Sequence, residues 1–208
     1  SAASDVYKRQ TLFTIIVAAS IVSSEFSTGT IKMLLTRPIS RAKILTSKLI
    51  TVILYGLLLL AINLGVGYLI SVILFEAGNS VQVSYINGQI VEESAWGALA
   101  YTQLLSFGDF FMSILFAFMI GTVFRSSSLA IGLTMGISLM GSLVVMFLAK
   151  YEIVKYIWLT HSNLTQHQYG DYLIEGITMP LSLTVLAVYA ALFLFFSYFT
   201  FMKRDVTA

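Results

Sequence analysis

Apolar runs long enough to cross a lipid bilayer recur along the whole of this chain. They lie at Leu49–Phe75, Leu104–Phe124, Leu129–Lys150 and Pro180–Met202, with a shorter run at Thr11–Ser23. A hydrocarbon core of ~30 Å takes about 17–25 helical residues. Inside it the backbone must bond within its own segment, which makes runs of this kind helices. Composition agrees. Only 11% of the 208 residues are charged and 58% are hydrophobic, against roughly 25% charged in a soluble domain. So little charge cannot coat a water-facing surface. The expectation is an all-α polytopic membrane protein with five transmembrane helices and no soluble domain. The absence of cysteine excludes disulfides, thiolate metal sites and cysteine nucleophiles, and a net charge of +2 carries no nucleic-acid signature.

Thr11–Ser23 is thirteen residues, too few to span the core at 1.5 Å per residue. The stretch before it, Ser1–Gln10, begins without methionine and carries Asp5, Lys8 and Arg9. Residues 1–10 are expected to be a foreign or junction leader on an N-terminally truncated chain, and residues 11–208 the membrane domain. A signal peptide over residues 1–23 is the competing reading. It would put the loop that follows outside the cell, against the charge bias.

That loop, Glu25–Lys48, holds Lys32, Arg37, Arg41, Lys43 and Lys48, five of the twelve basic residues. Lys and Arg concentrate in cytoplasmic loops. With alternating spans, Arg125, Lys203 and Arg204 fall on the same side, while Glu76–Gln103 has three glutamates and no base. The loop and the C-terminus are therefore expected in the cytoplasm. Outside, Val81–Ile86 alternates, Asn87-Gly88 suits a type I′ turn, and Gln89–Glu92 follows, the pattern of a β-hairpin. Ser94–Leu105, with Trp96, Leu99, Tyr101 and Leu104, has the spacing of an amphipathic helix at the outer interface. Tyr151, Tyr156 and Trp158 mark a second interfacial segment.

Within the loop, Ile31, Leu34 and Leu35 are spaced i, i+3, i+4, which makes a short amphipathic helix. Arg37-Pro38 breaks it, and Ser40 can cap the next helix. Charge and spacing leave two roles open, a basic loop on anionic lipid or a docking surface for a second protein.

The run Ser24-Glu25-Phe-Ser-Thr-Gly29-Thr30-Ile31-Lys32, continued by Leu34, Leu35, Arg37-Pro38, Ser40 and Arg41, resembles the cytoplasmic signature of ABC-2 type transporter permeases. Gly121–Gly132 and Phe199–Asp205 resemble that family's turn between the fourth and fifth spans and the end of its sixth. The resemblance implies a six-span fold whose first span is missing here. It implies a coupling helix in the loop, with Glu25, Gly29, Thr30, Ile31, Lys32, Leu34, Leu35, Arg37, Pro38 and Arg41 at the contact with an ATPase subunit. It also implies a second permease subunit, identical or related, lipid as surroundings, and ATP and Mg held by the ATPase. No cofactor and no catalytic residue fall to this chain, which would be the membrane-spanning subunit of an exporter.

The rival is an ion-coupled secondary transporter or channel. Such proteins bury several ionisable residues near the midplane, whereas the spans here offer Asp109, towards an outer end. A membrane enzyme is disfavoured by the lack of clustered Asp, Glu, His or Ser at the cytoplasmic face. Asn63 is placed mid-span for helix packing, and Gly132-Leu-Thr-Met-Gly136 is a GxxxG that permits close helix approach. His161, His167 and Asp171 share an outside segment, but histidines six apart lack a metal register, so no metal site is expected. No glycine precedes a lysine, so there is no phosphate loop and the chain does not hydrolyse ATP by that route.

Overall fold

The computed structural model describes residues 2–30, 39–75, 81–86, 89–124, 126–169, 172, 174 and 176–203. Its long elements are α1 (Ala2–Ser27), α2 (Arg41–Phe75), α3 (Ala95–Val123), α4 (Ser127–Leu148) and α7 (Met179–Lys203). Two strands, β1 (Val81–Ile86) and β2 (Gln89–Ser94), pair antiparallel with Val81 opposite Ser94 and Ile86 opposite Gln89. The Asn87-Gly88 turn lies outside the described residues, as does the short helix expected over Ile31–Leu35. A 3₁₀ helix (Glu152–Tyr156), α5 (Trp158–Ser162) and α6 (Gln166–Tyr169) connect α4 to α7.

The protein is predominantly helical and multi-pass. Among the described residues four helices are long and apolar enough to cross a membrane: Arg41–Val66, Tyr101–Val123, Ser127–Leu148 and Met179–Lys203. The five-span expectation is corrected to these four plus a shorter apolar helix, Thr11–Ser27. Asp5, Lys8 and Arg9 precede that stretch within α1, so the apolar length is limited although the helix is not. A second correction concerns Ser94–Leu105. Its residues from Ala95 onward belong to α3, because no proline interrupts the backbone ladder before the span.

Helix ends follow local chemistry. α1 stops where Gly29 takes φ +74°, the left-handed geometry glycine adopts without a Cβ clash. The Ser40 carbonyl accepts from the Ile44 amide at 3.2 Å, opening α2. Ser126 opens α4, its hydroxyl accepting from the Leu129 amide at 3.4 Å. Pro180 sits in the first turn of α7, where its missing N–H removes no helix bond.

The chain divides into two compact units. The first comprises Ser1–Asn63, Ser113–Met140 and Ala190–Ala208. Its core is the stretch of α3 from Ser113 to Phe118, all buried, with Ile15, Ala18, Ala19 and Val22 of α1. The Phe116 and Phe193 rings meet at 5.4 Å, and Phe26 meets Phe201 edge-on at 6.3 Å. At Gly121 the Ala19 carbonyl oxygen lies 2.3 Å from where a Cβ would stand. The second unit comprises Leu64–Met112 and Gly141–Tyr189. There Val145, Val154, Ile174 and Ile177 form a buried cluster flanked by Leu148, Ile157 and Leu159.

Candidate functional site

The basic loop enters and leaves the first unit through polar contacts. Glu25, in the last turns of α1, is ion-paired with Lys48 of α2. The Lys48 ammonium also donates to the Ile21 carbonyl at 3.1 Å. Arg41, the first residue of α2, donates from Nη1 to the Met202 carbonyl of α7 at 3.3 Å. Farther along, the Thr46 and Tyr198 hydroxyls lie 2.6 Å apart. The Ser23 hydroxyl of α1 and the Ser127 hydroxyl of α4 lie 3.4 Å apart. Both ends of the loop are thus tied to helices other than their own.

Of the residues singled out for coupling, Glu25 and Arg41 are in this clamp. Gly29 supplies the positive φ, and the exposed Thr30 hydroxyl lies 3.0 Å from that of Thr28. Ile31, Lys32, Leu34, Leu35, Arg37 and Pro38 lie outside the described residues. Sequence reasoning placed Lys48 in the loop but missed its bonding to Glu25 and Ile21. The available signal was one acid among five bases, with Glu25 and Lys48 each at the edge of an apolar run.

Asn63 is half-buried in α2. Gly132 and Gly136 have no atom of the described residues within 4 Å of a notional Cβ. The close helix approach within this unit is at Gly121 instead, where glycine alone fits against the Ala19 backbone.

In the second unit, two histidines converge on one hydroxyl. His161 is fully buried. Its Nε2 lies 2.7 Å from the Lys155 carbonyl and its Nδ1 2.8 Å from Ser182 Oγ. His167 Nε2 lies 2.9 Å from the same oxygen. A carbonyl only accepts, so His161 Nε2 carries a proton. In the neutral ring Nδ1 then accepts from the Ser182 hydroxyl, whose oxygen accepts from His167 Nε2–H. The assignment gives Ser182 Oγ and both His161 ring nitrogens a partner. Desolvation first, and the neighbouring His161 second, hold the His167 pKa below 6.5. Asp171 lies outside the described residues. Asp109, in α3, is hydrogen-bonded to Ser162 beside this network. Ser182 was not singled out by sequence, since nothing local marks a serine at a helix start as a histidine partner. Trp158, expected at the membrane interface, is buried at 7% exposure. Tyr151 and Tyr156 are exposed.

A family described as "Protein of unknown function (DUF2705)" matches residues 3–207. The uncharacterized protein YhcI of Bacillus subtilis (strain 168) is 43% identical over 200 residues, 94% of this chain and 64% of that protein. The chain therefore spans less than two thirds of YhcI. The uncharacterized membrane protein YdbK of the same organism is 29% identical over 200 residues, 93% of this chain and 76% of that protein. No solved structure matches. These findings overturn the assignment to the ABC-2 type permeases, since the family match over nearly the whole chain lies elsewhere. A basic loop, a serine-rich turn and a basic helix end are features that charge bias and capping impose on many multi-pass proteins.

Proposed function

We propose, for a chain that belongs to the DUF2705 family, the role of membrane-embedded subunit in a transport complex powered by a separate cytoplasmic ATPase. The observation that carries the reading is the clamp on the loop. Glu25–Lys48 and Arg41–Met202 connect the loop ends to α1, α2 and α7. A partner that pulls on this loop would therefore move three helices rather than a slack connector. The apolar spacing of Ile31, Leu34 and Leu35 supplies a docking edge, and Lys32, Arg37 and Arg41 an electrostatic one. In this reading the loop and the C-terminus are cytoplasmic, by the distribution of Lys and Arg, and ATP and Mg bind the partner. On the same reading the Glu76–Gln103 stretch, which carries no Lys or Arg, belongs to the other side of the membrane.

The test uses Thr30→Cys in this cysteine-free chain. In native membranes the thiol should cross-link to a nucleotide-hydrolysing subunit, and nucleotide should change the yield. Absence of any such cross-link contradicts the reading. One observation favours an ion-coupled transporter instead, namely Asp109 on a spanning helix. Transport that follows an ion gradient and survives ATP depletion would select it.

A further inference from the structure

A second site lies in the connection from α4 to α7, and it does not depend on the ATPase reading. Just past Leu148, where the α4 span ends, the surface opens into a cavity of about 340 Å³. Ligand pockets begin at about 300 Å³. Its lining includes Lys150, Tyr151, Glu152, Val154, Lys155 and Ile174. Lys150 and Lys155 are the two basic residues, apart from histidine, of the whole 149–178 segment, and both line it. Among the described residues neither lysine is in an ion pair.

The floor is built rather than incidental. Val154 and Ile174 belong to the buried cluster with Val145 and Ile177. The Lys155 carbonyl is held by His161 Nε2 at 2.7 Å. The Tyr151 amide bonds the Leu148 carbonyl at 2.9 Å, and the Val154 amide bonds the Tyr151 carbonyl at 3.1 Å. Next to these lining residues in the chain, Phe147, Ile153 and Tyr156 are, like Tyr151, more than 60% exposed. Exposed tyrosines beside the end of an apolar span are the pattern of a headgroup-level belt.

We propose that this cavity binds the phosphate-bearing headgroup of an anionic membrane lipid. The two ammonium groups would hold the phosphate as point charges, Glu152 would accept from a headgroup hydroxyl, and the exposed aromatic rim would lie along the acyl chains. The position at the end of a span is what selects a lipid over a soluble anion. Basic pockets between membrane helices hold anionic headgroups on the cytoplasmic side by the same charge pairing, here proposed for the opposite face.

The full chain, purified in detergent, is mixed with phosphatidylglycerol or phosphatidylcholine, and retained lipid is counted by native mass spectrometry. Phosphatidylglycerol should be retained preferentially. Lys150→Gln/Lys155→Gln should weaken that retention about tenfold, and Lys150→Arg/Lys155→Arg should keep it. Lys150→Gln alone, at an exposed position, should give a smaller loss with an unaltered melting temperature. Equal retention by wild type and the double Gln variant overturns the proposal. So does displacement of the lipid by soluble glycerol phosphate at equimolar concentration, which would mark a site for a free anion.

Discussion

Lys48 and Glu25 are 23 residues apart in sequence and form an ion pair joining α2 to α1, with side chains only 13% and 21% exposed. The second carboxylate oxygen of Glu25 is buried without a partner among the described residues. Lys48→Met should therefore be the more harmful change. It strands a poorly solvated carboxylate and frees the Ile21 carbonyl, at a cost on the order of 2–3 kcal/mol. Glu25→Gln keeps an acceptor for Lys48 and should lose about half as much. A double-mutant cycle read by thermal unfolding in detergent should give a coupling of about 1–2 kcal/mol. Additive losses would mean that the pair contributes nothing of its own.

Two glycines that look alike in sequence should behave differently. At Gly121 a Cβ would stand 2.3 Å from the Ala19 carbonyl oxygen and 2.9 Å from its carbon. Backbone cannot move aside as a flexible side-chain end can, so Gly121→Ala should cost about 1–3 kcal/mol. Gly132→Ala meets nothing within 4 Å among the described residues, and its melting temperature in detergent should match wild type. The order of the two melting temperatures is the measurement.

That contrast marks what the sequence could convey. Hydropathy identified the four long helices because a bilayer demands length and low charge, both local properties. It could not convey which glycine lies against a neighbouring helix, since Gly121 and Gly132 sit in equally apolar surroundings. α3 absorbed the expected interfacial helix because amphipathic spacing does not specify where a helix stops. Trp158 turned inward because its position is set by the fold around His161 and Ser182, not by the preference of tryptophan for interfaces. The polar site was legible only in part. His161 and His167 stood out by type, whereas Ser182, which joins them, is brought there by the return of α7.

The histidine network should respond to pH. His167 is held below 6.5 when folded, so the folded state favours its neutral form. That contribution is fully present above about pH 6.5 and is lost as pH falls through the folded pKa. The melting temperature of wild type should drop on acidification below that point, and His167→Gln should flatten the drop. Identical slopes in the two proteins would count against it. Ser182→Ala leaves the buried His161 Nδ1 without its donor and should cost about 1–3 kcal/mol at pH 7.5.

Orientation can be read chemically. Lys43→Cys and Tyr151→Cys place single thiols at exposed positions on α2 and beside the 3₁₀ helix. In intact cells an impermeant maleimide should label position 151 and spare position 43 until the membrane is opened. Labelling of position 43 from outside would invert the topology.

The central claim is that the clamped loop receives the work of a separate ATPase. It is tested most directly by purifying the full chain from its native membrane with and without Leu34→Glu and measuring ATP hydrolysis in the preparation. A charge at that apolar position would be buried unpaired in a docked interface, at a cost of several kcal/mol. Wild type should carry ATPase activity, and Leu34→Glu should lose it while still inserting and melting like wild type. Activity absent from wild type, or undiminished in Leu34→Glu, would contradict the account.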